Sequence, residues 1–294
     1  MEFPTGAIPF IENQWSHREF VQAVEPDYAL TKITTARQLL KRDETADSYF
    51  GEGTQVITTT TVEDTKLNLL SWEDELEYVQ EFDPAYHLPC DYSTYLNADQ
   101  EERTENVSSY LEGTLTMDRW LSEADCDTRV IPLIKGATDH ERARAIETLE
   151  PYHFPGYAFY GTQYFTSGEG ILIDDLVEDV TATTEEHDRP TLLIGCLSPN
   201  YLERMPPQVV AGSGVQRWRM RVKPQKQSPD TIKAEWNGLR EDVRDVLASS
   251  LTDDQAAETL TETETRPSQP SDSQTELATC RTADTPDSTS ETGE

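Results

Sequence analysis

Asp91 follows the run "AYHLPC", and Lys135-Gly136 follows "RVIPLI". Tyr160-Gly161-Thr162 follows "GYAF", while Cys196 and Ser198 follow "TLLIG". Each group comes just after a short apolar stretch, where a strand gives way to a loop. A carboxylate there can move protons. A lysine there can form a Schiff base, hold a phosphate, or pair with Asp91 so that both stay charged. Cys90 beside Asp91 is a nucleophile in one reading and an inert strand cysteine in the other.

The run "RWRMRVKPQK", residues 217–226, is the densest cluster of cations in the chain. Read as a strand, it sends Arg217, Arg219, Arg221 and Lys223 to one face and Trp218, Met220 and Val222 to the other. Such a stripe contacts phosphates, or else its cations pair with surrounding acids. Tyr157, Tyr160 and Tyr164 either stack on a base or pack within the fold. His17, His87, His140, His153 and His187 show no ligand spacing, and the four cysteines are scattered. No metal site is expected, and the cysteine spacing points to a reducing compartment.

These residues need elements to position them. Strand candidates fall at about 6–11, 27–31, 54–62, 85–90, 129–135, 156–160, 191–196 and 214–222. Helical patterns follow most of them. Ser71 precedes "WEDELEYVQ", and Thr138 with Glu141 forms a capping box before "RARAIETL". A third helix is expected between Glu169 and Glu186. The alternation predicts parallel α/β architecture, and eight strands in this length match a TIM-like (β/α)8 barrel over 1–225. An incomplete barrel or an open α/β sheet is the alternative. Ile232, Trp236, Leu239, Val243 and Leu247 then mark a C-terminal helix within 226–250.

Composition sets the surroundings. The 294 residues carry 56 Asp+Glu against 24 Lys+Arg, a net charge of -32, and only seven lysines. Acid excess along the whole chain suits molar salt, where screening acts within about 3 Å. Mimicry of a nucleic acid is the other account of such acidity. From 251 to 294 the text is Thr, Ser, Glu and Asp with little to bury, which predicts a disordered acidic tail. The start "MEFPTGAIPF" lacks a basic, long-apolar leader, and no run is long enough to span a membrane. A cytoplasmic protein with no membrane association is expected.

Phe154-Pro155-Gly156-Tyr157-Ala158, Arg189-Pro190, Leu193-x-Gly195 and Ser198-Pro199 occur in an order and spacing that resemble the tRNA-guanine transglycosylase superfamily. The similarity covers about residues 50–222. "LLSWEDELEYVQEFDPAYHLPCD" looks like that family's Leu-Ser-Pro-Glu-Asp helix and the strand ending in its base-reading aspartate. The resemblance implies a barrel, a tRNA or DNA partner, and exchange of guanine for a 7-deazaguanine through a carboxylate nucleophile. It places base reading on Asp91 and puts Lys135, Gly136, Tyr160 and Gly161 in the pocket wall. Arg217, Arg219, Arg221 and Lys223 become the nucleic-acid contacts.

The chain departs from that pattern at several points. Lys135 stands for a glutamine, Tyr160 for a glycine, and Phe50 in "FGEGTQV" for an aspartate. Arg217 lies near the nucleophile's place. The zinc-binding Cys-x-Cys-x2-Cys is absent, so no cofactor is implied. Asp91 and Glu52 are the carboxylates left near the expected site. Two readings follow: a diverged base-exchange enzyme, or a catalytically silent nucleobase- or nucleic-acid-binding relative. The second reading includes an accessory subunit of an active transglycosylase, and a homodimer is left open. Unrelated chemistry on the same barrel is a third reading.

Overall fold

In a computed structural model of the protein, residues 2–67, 69–94, 97–165 and 172–264 are described, with backbone alone at 64 and 250–264. Eight strands form: β1 (Gly6–Ile11), β2 (Tyr28–Lys32), β3 (Gln55–Thr59), β4 (Tyr86–Leu88), β5 (Arg129–Val130), β6 (Tyr157–Tyr160), β7 (Thr191–Ile194) and β8 (Val209–Gly214). The first three helices are α1 (Trp15–Val24), α2 (Ile33–Leu40) and α3 (Ala46–Phe50). Then come α4 (Asp64–Leu67), α5 (Trp72–Phe82), α6 (Gln100–Glu123), α7 (Asp139–Leu149) and α8 (Ile173–Thr184). The last three are α9 (Pro199–Leu202), α10 (Gln216–Val222) and α11 (Pro229–Glu264).

All the strand pairs are parallel, in the order β5-β4-β3-β2-β1-β8-β7-β6. Parallel neighbours need a crossover, and the intervening helices supply it. The two ends of this order also meet. Leu133, three residues past β5, bridges in parallel to Ala158 of β6. Ile134 N–H donates to Ala158 O at 2.8 Å, and Ala158 N–H donates to Pro132 O at 2.8 Å. The sheet is therefore curled on itself, an α/β architecture compatible with a TIM-like barrel.

The sequence explains most of the frame. Ser71 Oγ accepts from Asp74 N–H at 3.1 Å and starts α5. Thr138 and Glu141 form the anticipated capping box of α7. Ile232, Trp236, Leu239, Val243 and Leu247 are all buried on one face of α11. That helix continues past the anticipated boundary at 250, as far as Glu264, and 265–294 lie outside the described residues. The strands and the helices α1 to α10 belong to one compact unit that ends at Gln255. The 24-residue α6 has no counterpart in the periodicity reading.

The eighth strand corrects the sequence reading. It is Val209–Gly214, "VVAGSG", and the anticipated strand 214–222 is instead the helix α10. β8 lies between β1 and β7 and is nearly all buried, so it needs small residues. The alternation in "RWRMRV" belongs to a helix. Trp218 and Val222, four apart, are fully buried, whereas Met220 between them is 64% exposed. A strand would bury all three together.

The Pro-Gly of "HFPGYAF" serves packing at the opposite end of the sheet from the loops that follow the strands. A Cβ on Gly156 would lie 2.5 Å from the Phe3 ring and 2.5 Å from Pro190 O. Phe3 of the N-terminal segment covers the strand starts there, and the Tyr86 hydroxyl donates to Glu2 O beside it.

Candidate functional site

All eight strands end at one cleft. Its main part, about 720 Å³, is lined by Glu12 after β1, Lys32 of β2, Thr61 after β3 and Tyr160 of β6. The loop Gly195–Ser198 after β7 and the turn from Gly214 to Arg217 after β8 complete it. A recess of about 250 Å³ adjoins it and shares Thr61, Tyr160 and Thr162. Asp91, Lys135, Gly136 and Gln163 line this recess. Loops after parallel strands converge in this way because every strand points in the same direction.

In the recess, Lys135 Nζ lies 2.6 Å from Asp91 Oδ1, and both side chains are largely buried. Of the three arrangements open to Lys135, the ion pair with Asp91 is present. Asp91 N–H donates to Thr60 Oγ1 at 2.9 Å, and Thr60 Oγ1 donates to Leu88 O at 3.1 Å. The turn before Asp91 is held from behind. Cys90 is left-handed, with φ 54, and its N–H donates to Glu75 Oε1 at 2.9 Å. The same Glu75 oxygen lies 2.7 Å from His87 Nε2, and His87 Nδ1 lies 2.8 Å from Thr58 Oγ1. Glu75, His87 and Thr58 are all buried. Burial, then the Glu75 charge, raises the Cys90 thiol well above its ordinary range, which disfavours the thiolate that a nucleophile needs.

Gly136 has φ +142, and a Cβ there would lie 2.7 Å from Arg142 N, so glycine lets the turn close on α7. Gly161 N–H donates to Ile194 O at 2.7 Å; it sits behind Tyr160 and is not among the residues lining either part of the cleft. Arg142 donates to Asp179 Oδ1 at 2.7 Å and also meets Asp139. Cys196 lines the main cleft, and burial raises its thiol to about 11.

Glu52 is not brought to this site. It is exposed in the turn before β3, whereas Asp91 follows β4, and the two strands are parallel. The two carboxylates therefore stand at opposite ends of the sheet. The carboxylate that does share the cleft is Glu12, which the sequence reading missed. Its Oε2 accepts from Gln14 Nε2 at 2.8 Å.

The basic run is also rearranged by its helix. Trp218 anchors α10: its ring lies 4.3 Å from Phe20 and 4.8 Å from His17, and its indole N–H donates to Phe10 O at 3.3 Å. With Trp218 and Val222 facing inward, a 100° step per residue sends the cations to different places. Arg217 and Met220 reach the main cleft. Arg219 and Lys223 line a separate notch of about 160 Å³ with Ser16 and Lys226. Arg221 turns to α11 and pairs with Glu235, at 3.5 Å, and Asp242. Arg221 is therefore a structural cation rather than part of a single stripe.

The other cations behave differently. Lys32, Arg217, Arg219, Lys223 and Lys226 form no ion pair among the described residues, in a chain with more than twice as many acids as bases. Six of the seven lysines line the depressions at or beside the strand ends: Lys32, Lys41, Lys66, Lys135, Lys223 and Lys226. Trp15, in the same short helix start as Ser16, is 69% exposed. A count of lysines against position after each strand was the available signal, and only the order of the strands makes it spatial.

The fold and site define an α/β protein with an eight-stranded parallel sheet and a cation-bordered cleft at the strand ends. No protein-family model matches the chain, and no curated protein matches it. No group of His, Cys, Asp and Glu that could hold a metal ion occurs among the described residues. No helix among them is long and apolar enough to cross a membrane.

Proposed function

We propose that this protein is a nucleic-acid-binding relative of the guanine transglycosylases, built on a TIM-like (β/α)8 barrel, that seats a nucleobase beside Asp91 and Lys135. One observation carries the reading. Cations bordering the strand-end cleft are left without acid partners although acids are abundant, which matches a ligand that brings its own negative charge. Thr61, Thr162 and Gln163 bring polar side chains to the recess, and Tyr160 brings a ring, the two kinds of surface that a base meets. tRNA and DNA both meet this chemistry.

The ion pair argues for binding over base exchange. Asp91 is neutralised by Lys135, and β8 ends in Ser213-Gly214 with no carboxylate to attack a sugar. One observation favours retained chemistry as a second reading. Glu12 and Asp91 are both cleft carboxylates, and base exchange uses a carboxylate nucleophile with an acid/base partner.

The test is binding of labelled tRNA and duplex DNA by anisotropy across a KCl series at and above 0.5 M, about the range an acidic chain tolerates. Arg217→Ala with Arg219→Ala should weaken binding at every salt concentration and lower the slope of log K against log salt by about 2. Absence of binding to either polymer, or an unchanged slope in the variant, overturns the reading. Labelled guanine supplied to the same mixtures tests the second reading, which requires incorporation that Glu12→Gln or Asp91→Asn abolishes.

A further inference from the structure

The cations are not confined to the β8 side of the cleft. Across β1 and β2, a depression of about 300 Å³ lies between α2, α4 and α5. Arg37 on α2 and Lys41, the residue just past its end, are four residues apart and border the depression with Lys66. Arg37 and Lys41 form no ion pair among the described residues and are exposed. Lys66 is held by Glu63 at 2.5 Å. The floor is apolar, with Leu70 and the half-buried Tyr78, and the Arg37 guanidinium lies 5.4 Å over the Tyr78 ring.

This mixture differs from an ordinary solvated helix face. Cations above an aromatic and aliphatic floor match a ligand that is flat on one part and anionic on another. Val62 lines both this depression and the Asp91–Lys135 recess, so one residue separates them.

We propose that the depression between α2, α4 and α5 is a second nucleotide subsite, taking one base against Tyr78 and Leu70 and its phosphate against Arg37 and Lys41. The inference rests on the nucleic-acid reading of the cleft and extends it. The bound strand is gripped on both sides of the recess, by Arg217 and Arg219 on one bank and by Arg37 and Lys41 on the other.

The experiment compares single-stranded oligonucleotides of about 4 and about 16 nucleotides, the range of single-strand site sizes, against the wild type and Arg37→Gln/Lys41→Gln. Both positions are exposed, Arg37 on α2 and Lys41 just past it, and a thermal midpoint matching the wild type establishes that the variant is folded. The longer oligonucleotide should lose about tenfold in affinity and about 0.7 in salt slope, the single-strand value for one phosphate, while the shorter one is unchanged. An oligonucleotide carrying a photoreactive base should cross-link to Tyr78 in the wild type. Wild-type binding that depends on Arg217 and Arg219 but ignores Arg37 and Lys41, with no cross-link at Tyr78, overturns the subsite and leaves the cleft reading intact. Equal losses at both lengths place Arg37 and Lys41 in the primary contact, which also overturns a separate subsite. No binding of any oligonucleotide by the wild type overturns both.

Discussion

Lys135 Nζ and Asp91 Oδ1 meet at 2.6 Å, joining the loop after β5 to the loop after β4 across 44 residues of sequence. Neither side chain is solvated enough for its partner to be dispensable. Removing one partner leaves a mostly buried charge, at a cost of about 3 kcal/mol. Asp91→Asn and Lys135→Met should each destabilise the fold by about this amount in denaturant titrations in molar KCl. The double variant should lose clearly less than the sum, which a double-mutant cycle measures.

The α10 helix offers a test of periodicity. Trp218→Ala removes a fully buried ring that contacts Phe20 and His17, and should cost about 3–5 kcal/mol. Met220→Ala, two residues on, should change stability by less than about 0.5 kcal/mol, because its side chain is exposed. Thermal midpoints of the two variants measure the difference. Equal losses would support a strand at 217–222.

Thiol chemistry should divide by environment. Burial raises both Cys90 and Cys196, the latter to about 11, so neither carries much thiolate near pH 8. Iodoacetamide added to native protein should leave these two unmodified while reacting with the half-buried Cys126. Peptide mapping by mass spectrometry reads the result. In Glu75→Gln the Cys90 N–H and His87 keep a weaker, neutral partner, so labelling at Cys90 should rise as the turn before Asp91 opens more often.

Acid should act through two histidines. Burial, then the Arg219 charge, lowers His17 to about 4, and burial lowers His187 to about 4. The unfolded chain takes up these protons near pH 6.5, whereas the fold resists them until about pH 4. Between these limits the unfolded state binds more protons, so stability falls as pH drops from 6.5. Thermal midpoints should decline across that window, and His17→Gln or His187→Gln should flatten the slope.

Much of the frame is legible in the amino acids. Seven of the eight strands fall where short apolar runs predict them, because a strand buried on both faces reads as an uninterrupted apolar stretch. Ser71 and Thr138 mark their helix starts because a cap needs only local residues. β8 escaped notice because "VVAGSG" has too little side chain to look like a strand. A Cβ on its Gly212 would lie 2.8 Å from Cys196 O, so the packing that demands small residues there comes from elsewhere in the chain. "RWRMRV" was misread because six residues can satisfy both a period of 2 and a period of 3.6, and only the buried Trp218 and Val222 discriminate between them.

The site divides along the same line. By itself the sequence determined the acid balance, the parallel alternation, and the strand-end places of Asp91, Lys135, Tyr160, Cys196 and Ser198, since these follow from local pattern. Tertiary structure alone decided that Asp91 pairs with Lys135, that Glu12 rather than Glu52 shares the cleft, and that Arg221 is bound by Glu235 and Asp242. It also decided that six of seven lysines gather around one end of the sheet. Those facts depend on which residues approach through space after the sheet curls, and no local propensity encodes a distance between groups tens of residues apart.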